Sequence, residues 1–457
     1  MIRSELVANE DRSTITERPA GGEFSKLTRE PSSAAFSSLC AFYLAYCARP
    51  EDWVPGLRYI PLAKITIFFA ILGLLTSAGR RGRKVRDLPL EARYLLAIIA
   101  LLFVSAFLSP IWKGGAFFHT LDFAKVYVAW VLTFLVVTDF KKLRRIVFIQ
   151  AASVAVIAVV SIAKGYSHPR LEGVLGGIYG NPNDLAFAIV LSLPFCLAFL
   201  LSSKNALTKL AWTLSMLAMA ASLFLTASRA GFIDLVIAGT VCLWHFGVKG
   251  RRVYLIVIAL VLSTLLMTVA GKQLKARFSA MSGEDLNTEI EGKAYGSFEA
   301  RQLLMRRAVA VIGHYPILGI VQNNFVSVSG DWHEVHMAYL QIAAEGGIFT
   351  FVLYVLFFSR GFSNLRRLRR RKDLDEEATL FIGALHSSLI GFVVGALFAP
   401  EAYQFFPYFA VAYTSVLVAI KEKEPVVAAS PQDSIPALEQ VEKYVSQPGP
   451  SSHIARF

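Results

Sequence analysis

The stretch LFLTASRAGFIDLVIAG, residues 223–239, is apolar on both sides of a single arginine, Arg229. A guanidinium at the centre of a membrane helix costs about 2.5–3.5 kcal/mol on insertion scales. Two apolar runs meeting at such a residue predict a hairpin whose tip leaves the hydrocarbon, and Ser228 and Gly231 suit the sharp turn. The rest of the chain repeats the theme. Its 457 residues are 55% hydrophobic and 17% charged, with a mean hydropathy of +0.52, more apolar material than a water-exposed surface can hide.

Apolar runs of spanning length fall near 34–48, 60–78, 91–109, 117–138, 145–163, 184–202, 210–227, 230–248, 253–270, 336–359, 377–398 and 406–420. The fold class expected is an all-α polytopic membrane protein with about twelve transmembrane helices and one long, partly helical external loop, 271–335. The first and last runs are short for a bilayer about 30 Å thick, which suits a tilted or partly interfacial helix. Residues 1–33 carry mixed charge without a continuous apolar core, so they read as a tail rather than a signal peptide or a span. The three parts expected are a disordered cytoplasmic tail 1–33, a transmembrane domain 34–420 and a disordered cytoplasmic tail 421–457 rich in Pro, Ser and Gln. No half-to-half sequence symmetry is visible.

The net charge of +13 does not point to nucleic acid, because the basic residues fall in short clusters between apolar runs and read as orientation signals against anionic lipid. With both termini in the cytoplasm, the short inner loops hold 21 Lys and Arg and the short outer ones hold 6, Arg49, Arg58, Lys113, Lys164, Arg170 and Arg229. That bias puts the Arg229 turn outside. Cys40, Cys47, Cys196 and Cys242 lie within apolar runs and suggest neither a disulfide framework nor zinc spacing.

The outer face has three further unusual places: KGYSHPRLEGVLGGIYGNPNDLA (164–186), the loop 271–335, and APEAYQFFP (399–407). In the first, Asn181 and Asn183 flank Pro182, and Asp184 stands where a helix N-cap is expected, which suits a capped elbow feeding the next span. The loop contains one helix signal, EARQLLMRRAVAVIGHYPILGI (299–320). Leu304, Met305, Ala308, Val311 and Ile312 form one face, Arg301 lies within that arc, and Arg306 and Arg307 fall outside it as solvated charge. An arginine on the docking face, in the first turn where the helix dipole is positive, is poorly placed unless it meets an anion.

The span VHMAYLQIAAEGGIFTFVLYVLFF (335–358) opens with His336 at the wet end and carries Glu345 deeper, on the side shared with Gln341. Glu345 is expected to be satisfied by Gln341 and another helix, or by a buried cation. Asp122 and Lys125, three residues apart on one helix, can neutralise each other, and Asp234 stands where it could tether Arg229. His168, His314 and His333 are expected outside and His119 at the outer end of the fourth span; no pair has a metal-binding arrangement, so no metal or other cofactor is expected.

The order GNPNDLA (180–186), TASRAGF (226–232), SFEARQLLMRRAVAVIGHYPILGIVQNNF (297–325), then HMAYLQIAAEGGI (336–348) resembles the O-antigen ligase and polymerase superfamily. These are bacterial inner-membrane glycosyltransferases, and the resemblance covers roughly 165–350 in motifs and the rest only in helix number. It implies a C-type glycosyltransferase-like fold, a multi-pass inner-membrane location with the site in the periplasm, an undecaprenyl-pyrophosphate-linked glycan as donor and a glycan or lipid as acceptor. By that resemblance Arg229 and Arg301 bind the pyrophosphate and His336 activates the acceptor; Arg170, Asn181 and Asn183 are added as substrate-binding candidates from their place on the same face, with Glu345 and Asp234 in support. The chain departs from the family pattern at Met337, where asparagine usually follows the histidine, and at Met305, where tryptophan is usual.

The chemistry agrees. A departing pyrophosphate gathers negative charge that guanidiniums can meet without a metal, and an acceptor hydroxyl needs a base titrating near neutrality, which imidazole supplies. Direct attack inverts the anomeric carbon, and no paired external carboxylates at a convincing spacing suggest a covalent intermediate. Two rival readings are a transporter of lipid-linked sugars, whose ionisable groups belong near the midplane on broken helices, and an inactive scaffold of a polysaccharide assembly system, suggested by Met337.

Overall fold

The structure is a computed structural model, and it describes residues 33–76, 83–108, 111, 113–165, 170–173, 178–270, 272–279, 289–330 and 334–422. The expected tails lie outside these residues except for Ser33, Lys421 and Glu422, as do His168 and His333. Among the described residues there is no strand. The apolar helices are α1 (Ser33–Ala48), α3 (Leu62–Thr76), α4 (Leu90–Leu108), α5 (Lys113–Val136), α6 (Phe140–Gly165), α7 (Pro182–Ser202), α8 (Ala206–Leu225), α9 (Arg229–Leu243, continued by a π-turn, Trp244–Lys249), α10 (Tyr254–Ala270), α14 (Ala338–Arg369), α15 (Glu376–Gly395) and α16 (Phe405–Lys421). A short α2 (Pro50–Trp53) follows α1, and α11 (Lys272–Ser279), α12 (Glu289–His314) and α13 (Phe325–Ser329) lie between α10 and α14.

Each expected apolar run coincides with one of these helices, α14 with a break at Gly347. Eight of them, α4 to α9, α14 and α15, are long and apolar enough to cross a membrane, whereas α1, α3, α10 and α16 are shorter. α7 and α15 form the centre, with 78% and 72% of their apolar windows buried, while α8 at 28% is peripheral. α10 exposes Val257, Ile258, Leu260, Val261 and Leu265 together, a patch that hydrocarbon tolerates and water does not. Polar side chains within the bundle answer one another: Asn364 Nδ2 donates to Glu91 Oε1 (2.8 Å), Tyr413 to Gln150 Oε1 (2.6 Å), and Tyr43 is bonded to Thr133 (2.9 Å). The expected Asp122–Lys125 ion pair is present on α5.

One end of the bundle collects the basic clusters. Arg83 donates to the carbonyls of Phe134 (2.8 Å) and Val137 (2.9 Å), Arg252 pairs with Glu376 (2.6 Å), Arg144 with Glu377 (2.5 Å) and Lys421 with Asp375 (3.5 Å). The starts of α7, α9 and α14 and the end of α15 lie at the other end.

α14 is not one continuous helix. Gly347 has φ +76° and ψ 176°, which breaks the ladder inside an apolar span. The segment 315–324 supplies the missing partners: Ile320 N donates to Ala344 O (2.9 Å), Val321 N to Glu345 O (2.7 Å), and Ile348 N to Pro316 O (2.8 Å). Irregular backbone at membrane depth survives only when buried in protein and satisfied in this way. Two glycines permit the crossing. A Cβ on Gly347 would lie 2.1 Å from the Ile317 carbonyl oxygen, and one on Gly319 (φ +67°) would lie 2.5 Å from Glu345 O.

α12 differs from the expected 299–320 at both ends. It stops at His314, because the residue before Pro316 resists helical geometry, and it starts earlier, at Glu289. Arg301 therefore lies in the middle of the helix, and the first-turn dipole argument does not apply to it. The expected face otherwise holds: Leu304, Ala308 and Val311 are buried with Ile320, Phe325 and Ala344, while Met305 is exposed.

Candidate functional site

The α8–α9 hairpin is built around Ser228. Thr226 ends α8, Ala227 takes a left-handed φ of 48°, and Ser228 caps α9, its side chain accepting from Gly231 N (3.1 Å). Arg229 is thus the first helical residue, in the turn where the helix dipole is positive, and is only 8% exposed. Arg229, and not Arg301, is the arginine in a first helical turn. Gly231 lets α7 and α9 touch: a Cβ there would be 2.5 Å from that of Ala186.

The same hairpin is tied to the start of α7. Ser228 Oγ donates to Asn183 Oδ1 (2.7 Å), Arg170 Nε donates to Thr226 O (2.9 Å), and its Nη2 reaches Asn183 Oδ1 (3.4 Å). Asn183 and Arg170 therefore hold the hairpin in place with these atoms. The cap of α7 is Asn181, whose side chain accepts from Asn183 N (2.9 Å); Asp184, expected as the cap, lies in the first turn.

His336 precedes α14 rather than opening it. The N-cap is Met337, in extended geometry with no side-chain cap bond, and Ala338 N donates to Ala396 O (2.8 Å). The helical-wheel position of His336 is therefore void, but its segment is pinned against the end of α15. Met337 packs beside the α12 cluster of Leu304, Ala308 and Val311, one turn beyond Arg301. Arg301 and His336 are both half-buried. Arg306 is exposed as expected, whereas Arg307 donates to Ser329 O (2.5 Å) and joins α12 to α13.

Glu345 and Gln341 do not pair. Glu345 Oε1 accepts from Asn323 N (3.0 Å) and Gln341 Oε1 from Ala402 N (3.4 Å), so each receives a backbone donor from a neighbouring segment. Asn323 Nδ2 in turn meets His119 Nε2 (2.9 Å). Asp234 does not tether Arg229: both its oxygens are buried without a hydrogen-bond partner, packed where α15 presents Gly391 and Gly395.

The paired carboxyls that sequence spacing did not suggest are Asp184 and Glu401, within hydrogen-bonding reach across α7 and the α15–α16 connection. Glu334 acts electrostatically on both and on Glu345. Burial, then the Asp184 carboxylate, holds Glu401 well above the usual carboxylate range, which favours its protonated form. Its folded value exceeds its unfolded one, so its contribution is full below about 4.5, the ordinary value, and is lost as pH rises. Glu401→Gln is accordingly expected to flatten the fall in melting temperature between pH 5 and 8 and to raise it at the alkaline end, as read by thermal unfolding in detergent. The sequence signal for Glu401 was a carboxylate in an apolar connection, but its partner is remote in the chain.

Around the end of α15, then, the structure gathers the α7 start, the α9 start with Arg229, the His336 segment and, through the α12 cluster, Arg301. Among the described residues no three His, Cys, Asp or Glu side chains are grouped to hold a metal ion.

Residues 214–355 match the family described as O-antigen ligase. The matched segment holds Arg229, Asp234, Arg301, His336 and Glu345 and excludes Arg170, Asn181, Asn183 and Glu401. No curated protein matches the chain. The match supports the O-antigen ligase and polymerase superfamily and, with eight apolar helices of spanning length, a multi-pass membrane enzyme of polysaccharide assembly.

Proposed function

We propose that this membrane enzyme of the O-antigen ligase kind transfers or polymerises an undecaprenyl-pyrophosphate-linked glycan at the periplasmic face of the bacterial inner membrane, in O-antigen or exopolysaccharide synthesis. The observation that carries the reading is Arg229, a nearly buried guanidinium on the first residue of α9, at the bundle end where the His336 segment docks on α15, a cation placed to meet an anion. A lipid diphosphate at the bundle end is such an anion, and a guanidinium offers it forked donors.

In this mechanism Arg229 and Arg301 meet the charge that gathers on the departing diphosphate. His336 takes the proton of the acceptor hydroxyl as that oxygen attacks the anomeric carbon from the opposite face, inverting it. No metal is used. Arg170, Asn181 and Asn183 serve by fixing the hairpin that carries Arg229, and Glu345 by holding the 315–324 segment against α14; Asp234 lines the α9–α15 contact. Both termini lie in the cytoplasm, which puts the basic end there by the positive-inside rule.

The test is to replace Arg229, Arg301 and His336 singly with alanine in a host that makes the cognate glycan. The lipid-linked donor should accumulate and the finished polysaccharide disappear at normal protein levels. Finished glycan at wild-type amounts in all three variants contradicts the proposal, and leaves the transporter or scaffold reading.

A further inference from the structure

At the basic end, the last turns of α14 and α16 enclose a pocket of about 370 Å³. Its polar lining is Arg367, Arg371, Lys372 and Lys421 with Asp373 and Glu422. Four cations face two lining carboxylates, and Asp375 pairs with Lys421 from beside the concavity, which leaves one surplus positive charge. Orientation of the chain requires basic residues near this end but does not require them to line a hollow.

The cations divide into two kinds. Arg371 is fixed, bonded to Asp373 (2.9 Å) and to the Lys421 carbonyl (2.5 Å), and Lys421 is nearly buried beside Asp375 (3.5 Å). Arg367 is 67% exposed and, among the described residues, its side chain holds a surface ion pair with Glu422 (2.5 Å), a kind of contact that a better anion displaces at little cost. Lys372 is exposed and makes no ion pair among the described residues. Two anchored cations at the back and two movable ones at the rim make a grip that can close on an anion. Leu368 and Val418 complete the wall where the apolar spans end, which is headgroup depth.

We propose that this pocket binds the phosphate headgroup of an anionic phospholipid, the rim cations meeting its phosphates and the acyl chains lying along the exposed stripe of α14 that holds Val352 and Leu356. Basic pockets between helices at this side of a membrane suit such headgroups. The proposal does not rest on the glycosyltransferase reading, since the pocket lies at the opposite end from Arg229.

The experiment uses the full chain in detergent, titrated with cardiolipin, with phosphatidylcholine, and with inorganic phosphate at equal phosphorus, followed by melting temperature and native mass spectrometry. Cardiolipin should raise the melting temperature and remain bound, whereas phosphatidylcholine and inorganic phosphate should not. Removing both rim charges, Arg367→Gln with Lys372→Gln, should weaken apparent cardiolipin affinity roughly 25-fold, at about fivefold per basic residue near an anionic surface. Both positions are exposed, so the fold should survive, and Lys204→Gln with Lys209→Gln, in the α7–α8 connection and the first turn of α8, should leave affinity unchanged. An equal shift in the rim variant, no shift in the wild type, or an equal response to inorganic phosphate would overturn it.

Discussion

Replacing Arg229 with alanine is expected to lower the rate of glycan transfer by roughly 10²–10³-fold, the scale on which losing one preorganised donor to a developing oxyanion is felt. The side chain is nearly buried and its helix is capped by Ser228, which is bonded to Asn183, so the guanidinium is held before any substrate arrives. Lysine at the same position keeps the charge but loses the planar fork. Arg229→Lys should recover about tenfold of the loss, a difference near 1.4 kcal/mol. His336→Ala should cost roughly 10²–10⁴-fold, in the range for a general base, and should change the pH profile of the residual rate. A purified, reconstituted enzyme given lipid-linked donor and acceptor is the assay. Equal rates for Arg229→Ala and wild type would remove the anion-binding role of this residue.

The second large effect concerns stability. Gly347→Ala is expected to cost on the order of 3 kcal/mol or more, because a Cβ there would lie 2.1 Å from the Ile317 carbonyl and the backbone holds a left-handed φ. Gly319→Ala meets the Glu345 backbone in the same crossing and should behave alike. The damage should spread, since the 315–324 segment gives α14 its missing hydrogen bonds and gives Glu345 its donor from Asn323. Gly239→Ala in α9 is the control: nothing lies within 4 Å of its Cβ, and it should be neutral or stabilising by about 0.5–1 kcal/mol. Thermal unfolding in detergent measures all three. A Gly347→Ala protein as stable as the control would show that the break in α14 is not sterically required.

Apolar runs of spanning length announced each of the main helices, because burial in hydrocarbon is decided by composition over a window about as long as a helix. The α8–α9 hairpin was equally legible. Ser228 and Gly231 around one arginine specify a cap and a close approach within four residues. What periodicity could not report is pairing between remote segments. Asp184 with Glu401, Asn323 with Glu345 and Gln341 with Ala402 are set by how helices and connections dock. The break in α14 was hidden for the same reason. Two glycines at 346 and 347 inside an apolar span look like packing residues until the chain that crosses them is known. Asp234 failed as a tether because five residues along a helix turn a side chain well away from its start, toward α15.

The proposed site requires the Arg229 turn and the His336 segment to open to the same side of the membrane, with the basic loops on the other. Single cysteines at the exposed positions Glu172, Glu334 and Lys372, in a chain freed of Cys40, Cys47, Cys196 and Cys242, can be labelled in intact cells with a membrane-impermeant maleimide. Labelling is expected from outside at 172 and 334 and none at 372 until the membrane is opened. Labelling of 172 and 334 from opposite sides would contradict it.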